Sequence, residues 1–267
     1  MPLTLTRLQE RPRIEAYLRR HPSLHLYEIG DLDDFFWPST RWYGLEDAGG
    51  IRALALLYTA FETPVLIALS GGEGRPALET LLRRLAGLLP PSFYAHLSPG
   101  LETVLSPARQ LIDHGLHRKM ALADPQPARQ SDVRGVERLG PQHAAELHAL
   151  YAASYPENAF DPRLLATGRF FGLWEDGRLV SAAGVHVYSA AYRVAALGNI
   201  ATLPARRSRG LAQRVTARLC QELLAENIAL IGLNVKAGNA PALACYRRLG
   251  FTPVAEYHEW TFTAQDS

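Results

Sequence analysis

The feature that most constrains the fold is a weak internal repeat. Tyr43-Gly44-Leu45-Glu46-Asp47 leads through Gly49-Gly50 into the apolar run Ile51 to Tyr58. Phe171-Gly172-Leu173-Trp174-Glu175 leads through Asp176-Gly177 into Leu179 to Tyr188, with Gly44 and Gly172 lying 128 residues apart. Each copy reads as strand, tight glycine turn, strand, and Asp-Gly is among the strongest hairpin signals. A second pair of matches follows in the same order. His114-Gly115-Leu116 before Met120-Ala121-Leu122 parallels Leu249-Gly250-Phe251 before Val254-Ala255-Glu256, 135 residues on. A helix closed by glycine and followed by a strand accounts for both. The chain therefore reads as two domains of one kind, 1–128 and 129–267, joined near Asp124-Pro125-Gln126-Pro127-Ala128-Arg129-Gln130-Ser131.

The second half alternates helix and strand. Pro141 to Tyr151 reads as a helix, followed by the hairpin, then a strand near Val194 to Leu203. Leu211, Val215, Leu219 and Leu223 recur every four residues beside Arg214, Arg218, Gln221 and Glu222, the pattern of an amphipathic helix. Ile228 to Val235 is a short apolar strand, Asn239 opens a helix that Gly250 closes, and Tyr257 to Thr263 alternates as a last strand. Mixed α/β architecture follows.

Composition narrows the function. In 267 residues, 28 basic and 26 acidic side chains leave a net charge of +2, too little for a strong field toward nucleic acid or an anionic membrane. Only Lys119 and Lys236 are lysines, so arginine supplies nearly all the positive charge. Cys220 and Cys245 are too few for a disulfide framework, and read as small buried hydrophobes rather than nucleophiles. No apolar run reaches membrane-spanning length and the N-terminus lacks a signal-peptide pattern, so the expectation is cytoplasmic. Asp31, Asp33 and Asp34 lack spaced partner ligands for a metal and read as caps or solvated turn residues.

The segment Thr202-Leu203-Pro204-Ala205-Arg206-Arg207-Ser208-Arg209-Gly210-Leu211-Ala212 joins a strand to the amphipathic helix. The first amides of a helix have no internal acceptors and its dipole is positive there, so an anion is favoured. Gly210 and Ala212 leave the backbone bare, and three arginines add charge. The alternative is that Ser208 caps the helix and the arginines are solvated.

Arg207-x-x-Gly210-x-Ala212 resembles the [Q/R]-x-x-G-x-[G/A] acyl-CoA motif of the GNAT superfamily of N-acetyltransferases. About thirty residues on, Asn239 to Phe251 is similar to the second motif of that family, N-x-x-A-x-x-x-Y-x-x-x-G-F. The likeness runs from about Val136 to Phe262. It is closest to the glycine N-acyltransferase-like branch, through Gly198-Asn199-Ile200 and Leu203-Pro204. The resemblance implies two tandem domains, each a mixed, mostly antiparallel sheet flanked by helices, with acyl-CoA (acetyl-CoA the commonest) in the second. There the central strands would splay apart. The pyrophosphate would lie on the amides of Arg209, Gly210, Leu211, Ala212 and Gln213, beside Arg207. The pantetheine would pair with the strand edge at Ile200, Ala201 and Thr202, near Asn239. Direct transfer to the amine of a small-molecule acceptor, with no metal and no covalent enzyme intermediate, is implied.

Direct transfer needs a neutral amine and a proton donor for the leaving thiolate. Tyr246 occupies the donor position of the family motif; a core tyrosine is the alternative. The family's glutamate, eleven residues before the motif, is here Ala196, and no acidic residue occurs between Tyr192 and Leu203. His186, on the preceding strand, is the best remaining base candidate, with a structural histidine the alternative; Tyr155 and Glu157 could touch the acceptor from their loop, or that loop is a solvated turn. The missing carboxylate keeps a second function open, a CoA-binding sensor or scaffold with little catalysis. In the first half Glu73 stands in place of Arg207 and Leu111 in place of Tyr246. That half is expected to shape the acceptor site or an oligomer contact such as a homodimer, without chemistry of its own. No nucleic acid and no membrane partner is expected.

Overall fold

A computed structural model describes residues 2–156, 158 and 160–264. The chain opens with β1 (Thr4–Leu8), α1 (Arg11–Leu18), α2 (Leu26–Gly30), β2 (Thr40–Asp47), β3 (Gly50–Tyr58) and β4 (Val65–Ala68). Then come α3 (Arg75–Leu85), β5 (Phe93–Leu97), α4 (Glu102–Leu105) and β6 (Arg109–Leu122). The remainder is α5 (Gln126–Gln130), β7 (Val136–Leu139), α6 (Ala144–Ser154), β8 (Phe170–Glu175), β9 (Arg178–Ser189), β10 (Val194–Thr202), α7 (Leu211–Ala225), β11 (Leu230–Lys236), α8 (Ala240–Arg248) and β12 (Phe251–Ala264). This is a mixed α/β fold with mostly antiparallel strands.

Two compact units divide these elements. The first holds the chain up to Lys119, Lys236–Gly238 and the chain from Val254; the second holds Met120–Val235 and Asn239–Pro253. The chain leaves the second unit after Pro253, and β12 then pairs His258 to Phe262 with Leu97 to Phe93 in the first. In the first unit the strands run β1-β2-β3-β4-β5-β12-β6, and in the second β11-β10-β9-β8-β7. Both contain the same pattern: three antiparallel pairings in succession, then one parallel pair, β4 with β5 and β10 with β11.

Local chemistry explains the turns. Asp176 and Gly177 both have positive φ (50° and 72°), the geometry of a two-residue hairpin turn whose twist matches the flanking strands. In the first unit the Asp47 carboxylate accepts from the Gly49 amide at 2.8 Å and Gly50 takes φ 103°. Gly250 has φ 94°, and a Cβ there would stand 1.8 Å from the Asp124 carbonyl oxygen, so only glycine closes α8. The amphipathic spacing of α7 is realised in full, with Leu211, Val215, Leu219 and Leu223 buried against β8 and β9. In the first unit Leu78, Leu81, Leu82 and Leu85 of α3 fill the core with Leu57, Leu66 and Phe93.

Two expectations are corrected, at Gly115 and at Asp31. Gly115 does not end a helix: it lies inside β6, where its amide bonds Asp113 at 2.7 Å and φ is 95°, a kink in a strand. The stretch Gln126 to Gln130 forms a helix. Ala128 is buried, and the Gln221 amide donates to the carbonyls of Ala128, Arg129 and Ser131. Asp33 and Asp34 do hold a turn and an ion pair, with Phe35 N and Arg11, but Asp31 is buried. No helix among the described residues is long and apolar enough to cross a membrane.

Candidate active site

The site is built where β10 parts from β11. The two strands pair in parallel from Val194↔Leu230 to Leu197↔Leu233, and no further pairing follows among the described residues. Yet β10 runs on to Thr202 and β11 to Lys236. On its other edge β10 stays paired to β9 through Ala201↔Ala182 and Thr202↔Ser181. One edge of Gly198 to Thr202 therefore offers main-chain groups without a strand partner, and such groups need water or a ligand.

Asn199 sets this kink. It is 1% exposed at φ 54°, a left-handed conformation that asparagine tolerates better than most side chains. Its Nδ2 donates to the Val185 carbonyl at 3.0 Å, its Oδ1 accepts from Asn158 at 2.9 Å, and its carbonyl accepts from the Tyr151 hydroxyl at 3.0 Å. Just before it the β9 register passes from Ala196↔Val187 to Leu197↔Val185, leaving His186 as the extra residue of a bulge. The half-buried His186 ring lies across Gly198, where a Cβ would meet it at 1.9 Å. Any larger residue at 198 displaces the ring.

After Thr202 the chain makes a short 3-10 turn, Pro204–Arg206, before Arg207. Ser208 and Gly210 then take φ 62° and 74°, and α7 starts at Leu211. Gly210 is the N-cap, and no side chain caps the helix, so Ser208 does not have the capping role. The amides of Leu211, Ala212 and Gln213 are thus the free first-turn donors of α7. No atom outside its own neighbourhood lies within 4 Å of a Cβ built on Gly210, so the approach is open.

The three arginines differ. Arg206 and Arg209 both pair with Glu175, at 2.6 and 3.2 Å, and the Arg206 guanidinium leads in holding that carboxyl below its usual range. Arg207 instead bonds the carbonyls of Thr202 (3.4 Å) and Ser154 (3.2 Å), and has no carboxylate partner among the described residues. Of the three, it is the arginine without a carboxylate among the described residues, so its charge suits an anion.

Asn239 caps α8, its Oδ1 accepting from the Ala242 amide at 3.2 Å. Seven residues on, Tyr246 is buried with its ring edge-on to Phe251 at 6.1 Å. Burial, reinforced by neighbouring Cys245 and Tyr155, raises its phenol above the usual range. Tyr155 itself is exposed, and Glu157 lies outside the described residues. Ile200 is half-buried, Ala201 buried, and Thr202 bonds Ser181 through its hydroxyl at 2.8 Å. Every site residue expected from the sequence thus falls in the second unit. The sequence offered Gly198 and Asn199 only as part of a family likeness, with no role in the site, and gave no sign of the part played by Glu175, whose ion pairs are too remote in sequence to read.

Residues 138–251 match the model of the Acetyltransferase (GNAT) family. The matched segment is less than half of the chain and contains both stretches that carry the resemblance. A 56-residue stretch is 41% identical to mycothiol acetyltransferase of Corynebacterium kroppenstedtii, taking in 21% of this chain and only 16% of that protein's length. Among solved structures, a GNAT-family protein from Novosphingobium aromaticivorans superposes with TM-score 0.64 at 20% identity, over 92% of this chain and all of that one. A Drosophila protein gives TM-score 0.73 at 15% identity over 98% and 99% of the two chains. A tandem GNAT protein from the clavulanic acid biosynthesis pathway gives 0.56 at 16% identity over both full chains. At such identities these three speak for the fold, which includes the tandem arrangement.

Proposed function

We propose that the second unit transfers an acyl group, acetyl in the first instance, from acyl-CoA directly to the amine of a small molecule. The observation that carries this reading is the parting of β10 from β11 beside an open helix N-terminus. The unpaired edge at Ile200, Ala201 and Thr202 suits the amides of a pantetheine arm. The amides of Arg209 to Gln213, with Arg207, suit the pyrophosphate, and Asn239, the N-cap of α8, is assigned to the same cradle. The GNAT family of the matched segment uses acetyl-CoA as co-substrate, which accords with this cradle.

In the reaction the amine nitrogen attacks the thioester carbonyl, a C–N bond forms and the C–S bond breaks. Tyr246 gives its phenolic proton to the departing thiolate; a phenol held above its usual pKa is the protonated donor this step needs. His186, aimed by the β9 bulge, takes the proton from the amine. Release of free thiol from acetyl-CoA across a panel of small amines tests the reading. Amine-dependent release supports it; CoA binding without turnover favours the sensor. That second reading draws on Ala196, which leaves the strand without a carboxylate.

The first unit carries no acyl-CoA site in this account. There β4 and β5 stay paired through Ala68↔Leu97, and the Ser98 amide continues the ladder to the Ala68 carbonyl at 3.3 Å. Ser98 Oγ then accepts from the Ser70 amide at 3.0 Å, so no opening forms. Glu73 stands in the turn before α3, and Pro76 removes an amide from its start.

A further inference from the structure

The first unit contains a cavity of about 450 Å³ that the acyl-transfer chemistry does not use. Its lining comes from the end of α3, from α4 and from the start of β6. Ala86, Leu89, Val104, Leu105 and Pro107 give it apolar walls, and Arg109 is the one charged side chain among the described lining residues. Small-molecule sites span roughly 300–1,000 Å³, and apolar walls with few placed polar groups are their common form.

Arg109 is held in place yet left without a counter-charge. Its Nη1 donates to the carbonyls of Pro90 (2.8 Å) and Pro91 (2.9 Å), and its Nη2 to that of Ala86, the C-cap of α3, at 3.3 Å. Its Cζ lies 4.9 Å from the centre of the buried Phe93 ring, which steadies the guanidinium plane. A guanidinium has five N–H donors. The three bonds leave the Nε–H and one Nη2–H without an acceptor among the described residues. Nε and Nη2 form the edge on which a carboxylate docks side-on through two hydrogen bonds. Burial lowers the pKa of this half-buried arginine, and no neighbouring carboxylate raises it. Tying α3 to the Pro90-Pro91 turn needs only the three carbonyl bonds and gives the remaining edge no role. A charge drawn out of water is costly unless something pairs with it.

We propose that this cavity binds a linear aliphatic carboxylate of medium length, its carboxylate on the Nε/Nη2 edge of Arg109 and its chain against Leu89, Val104 and Leu105. One guanidinium matches one negative charge, and two parallel donors match two carboxylate oxygens. A dicarboxylate or a sugar phosphate would find no second charged side chain among the described lining residues. The proposal does not rest on the acyl-transfer reading, because the binding is measured without acyl-CoA.

The test is titration of the full chain with octanoate, read by ligand-observed NMR, beside 1-octanol and acetate, which keep only the chain or only the charge. Saturable binding of octanoate is expected, with both comparators weaker by about tenfold or more. Hydrogen exchange in peptides covering 86–91 and 102–109 should slow when octanoate is added, which locates the site without any substitution. Arg109→Gln should weaken binding about tenfold or more. Val104→Asp should do the same, placing a like charge in the wall while every carbonyl bond of Arg109 stays. Arg207→Gln, in the other unit, should leave it unchanged. No saturable binding of octanoate, 1-octanol or acetate binding as tightly, or slowed exchange only outside those peptides overturns the proposal. So does wild-type affinity in both Arg109→Gln and Val104→Asp, or a loss in Arg207→Gln instead. Binding by Asp266→Asn but not by the native chain would give the cavity to an acid of the chain itself, and overturn it too; Asp266 lies outside the described residues.

Discussion

Replacing Asn199 by alanine removes two things at once. Alanine at φ 54° pays about 1–2 kcal/mol for a left-handed conformation. The Val185 carbonyl, which accepts from Asn199 Nδ2 at 3.0 Å, is left without that donor in a buried strand, costing about 1–3 kcal/mol. The sum, about 2–5 kcal/mol, falls on β9 and β10, because both partners lie there. Asn199→Gly separates the contributions: it keeps the backbone conformation and loses only the side-chain bonds, so it should recover about 1 kcal/mol of the loss. A chain of two units need not unfold in one step, so hydrogen exchange resolved to peptides covering 178–189 and 194–202 is the assay. Faster exchange in those peptides, ordered alanine above glycine above wild type, is expected, together with weaker acyl-CoA binding. Unchanged exchange in the alanine variant, or glycine worse than alanine, would refute the assignment of the kink to Asn199.

Three further predictions concern titratable groups. Tyr246→Phe should lower turnover roughly 10²–10⁴-fold while leaving CoA affinity nearly unchanged; a rate within about threefold of wild type would place the donor elsewhere. Because burial raises the phenol above its ordinary value of 10.0, its donating form persists as pH rises. The wild-type rate should therefore show no falling limb from this group between about pH 7 and 10. Burial also pushes the thiols of Cys220 and Cys245 up to about 12 and about 11, so at pH 8 only about one part in a thousand or less is thiolate. Iodoacetamide should label neither in the folded chain at the rate of a free thiol, and rapid labelling of Cys245 would contradict that.

What was legible in the sequence was local. Asp176-Gly177 announces its own turn, since both residues accept positive φ, and the four-residue spacing of α7 encodes the face it buries. The glycine that closes α8 shows for the same reason. The glycine at 115 carries the same letter and a different meaning: an aspartate two residues earlier binds its amide, and the chain stays a strand. Groups that depend on partners far along the chain left no trace. Glu175 holds Arg206 and Arg209 across about thirty residues, and Asn199 is fixed by Val185, Asn158 and Tyr151. Lys119 lies over the ring of Tyr27, more than ninety positions away, and nothing in the neighbourhood of either marks the contact.

The most direct test of the central claim is calorimetric titration of the full chain with CoA, in the wild type and in Gly210→Asp. Gly210 sits at φ 74° with open space beyond its Cβ direction, so aspartate is accommodated at modest backbone cost and places a carboxylate in the pyrophosphate position. Like charges about 4 Å apart repel by roughly 1–4 kcal/mol in water-like to surface-like surroundings, enough to weaken binding about tenfold or more. One CoA per chain, bound by the wild type and lost or strongly weakened in Gly210→Asp, is the expected result. Two CoA per chain, or wild-type affinity in the variant, would contradict the assignment of the loop before α7 as the single acyl-CoA site.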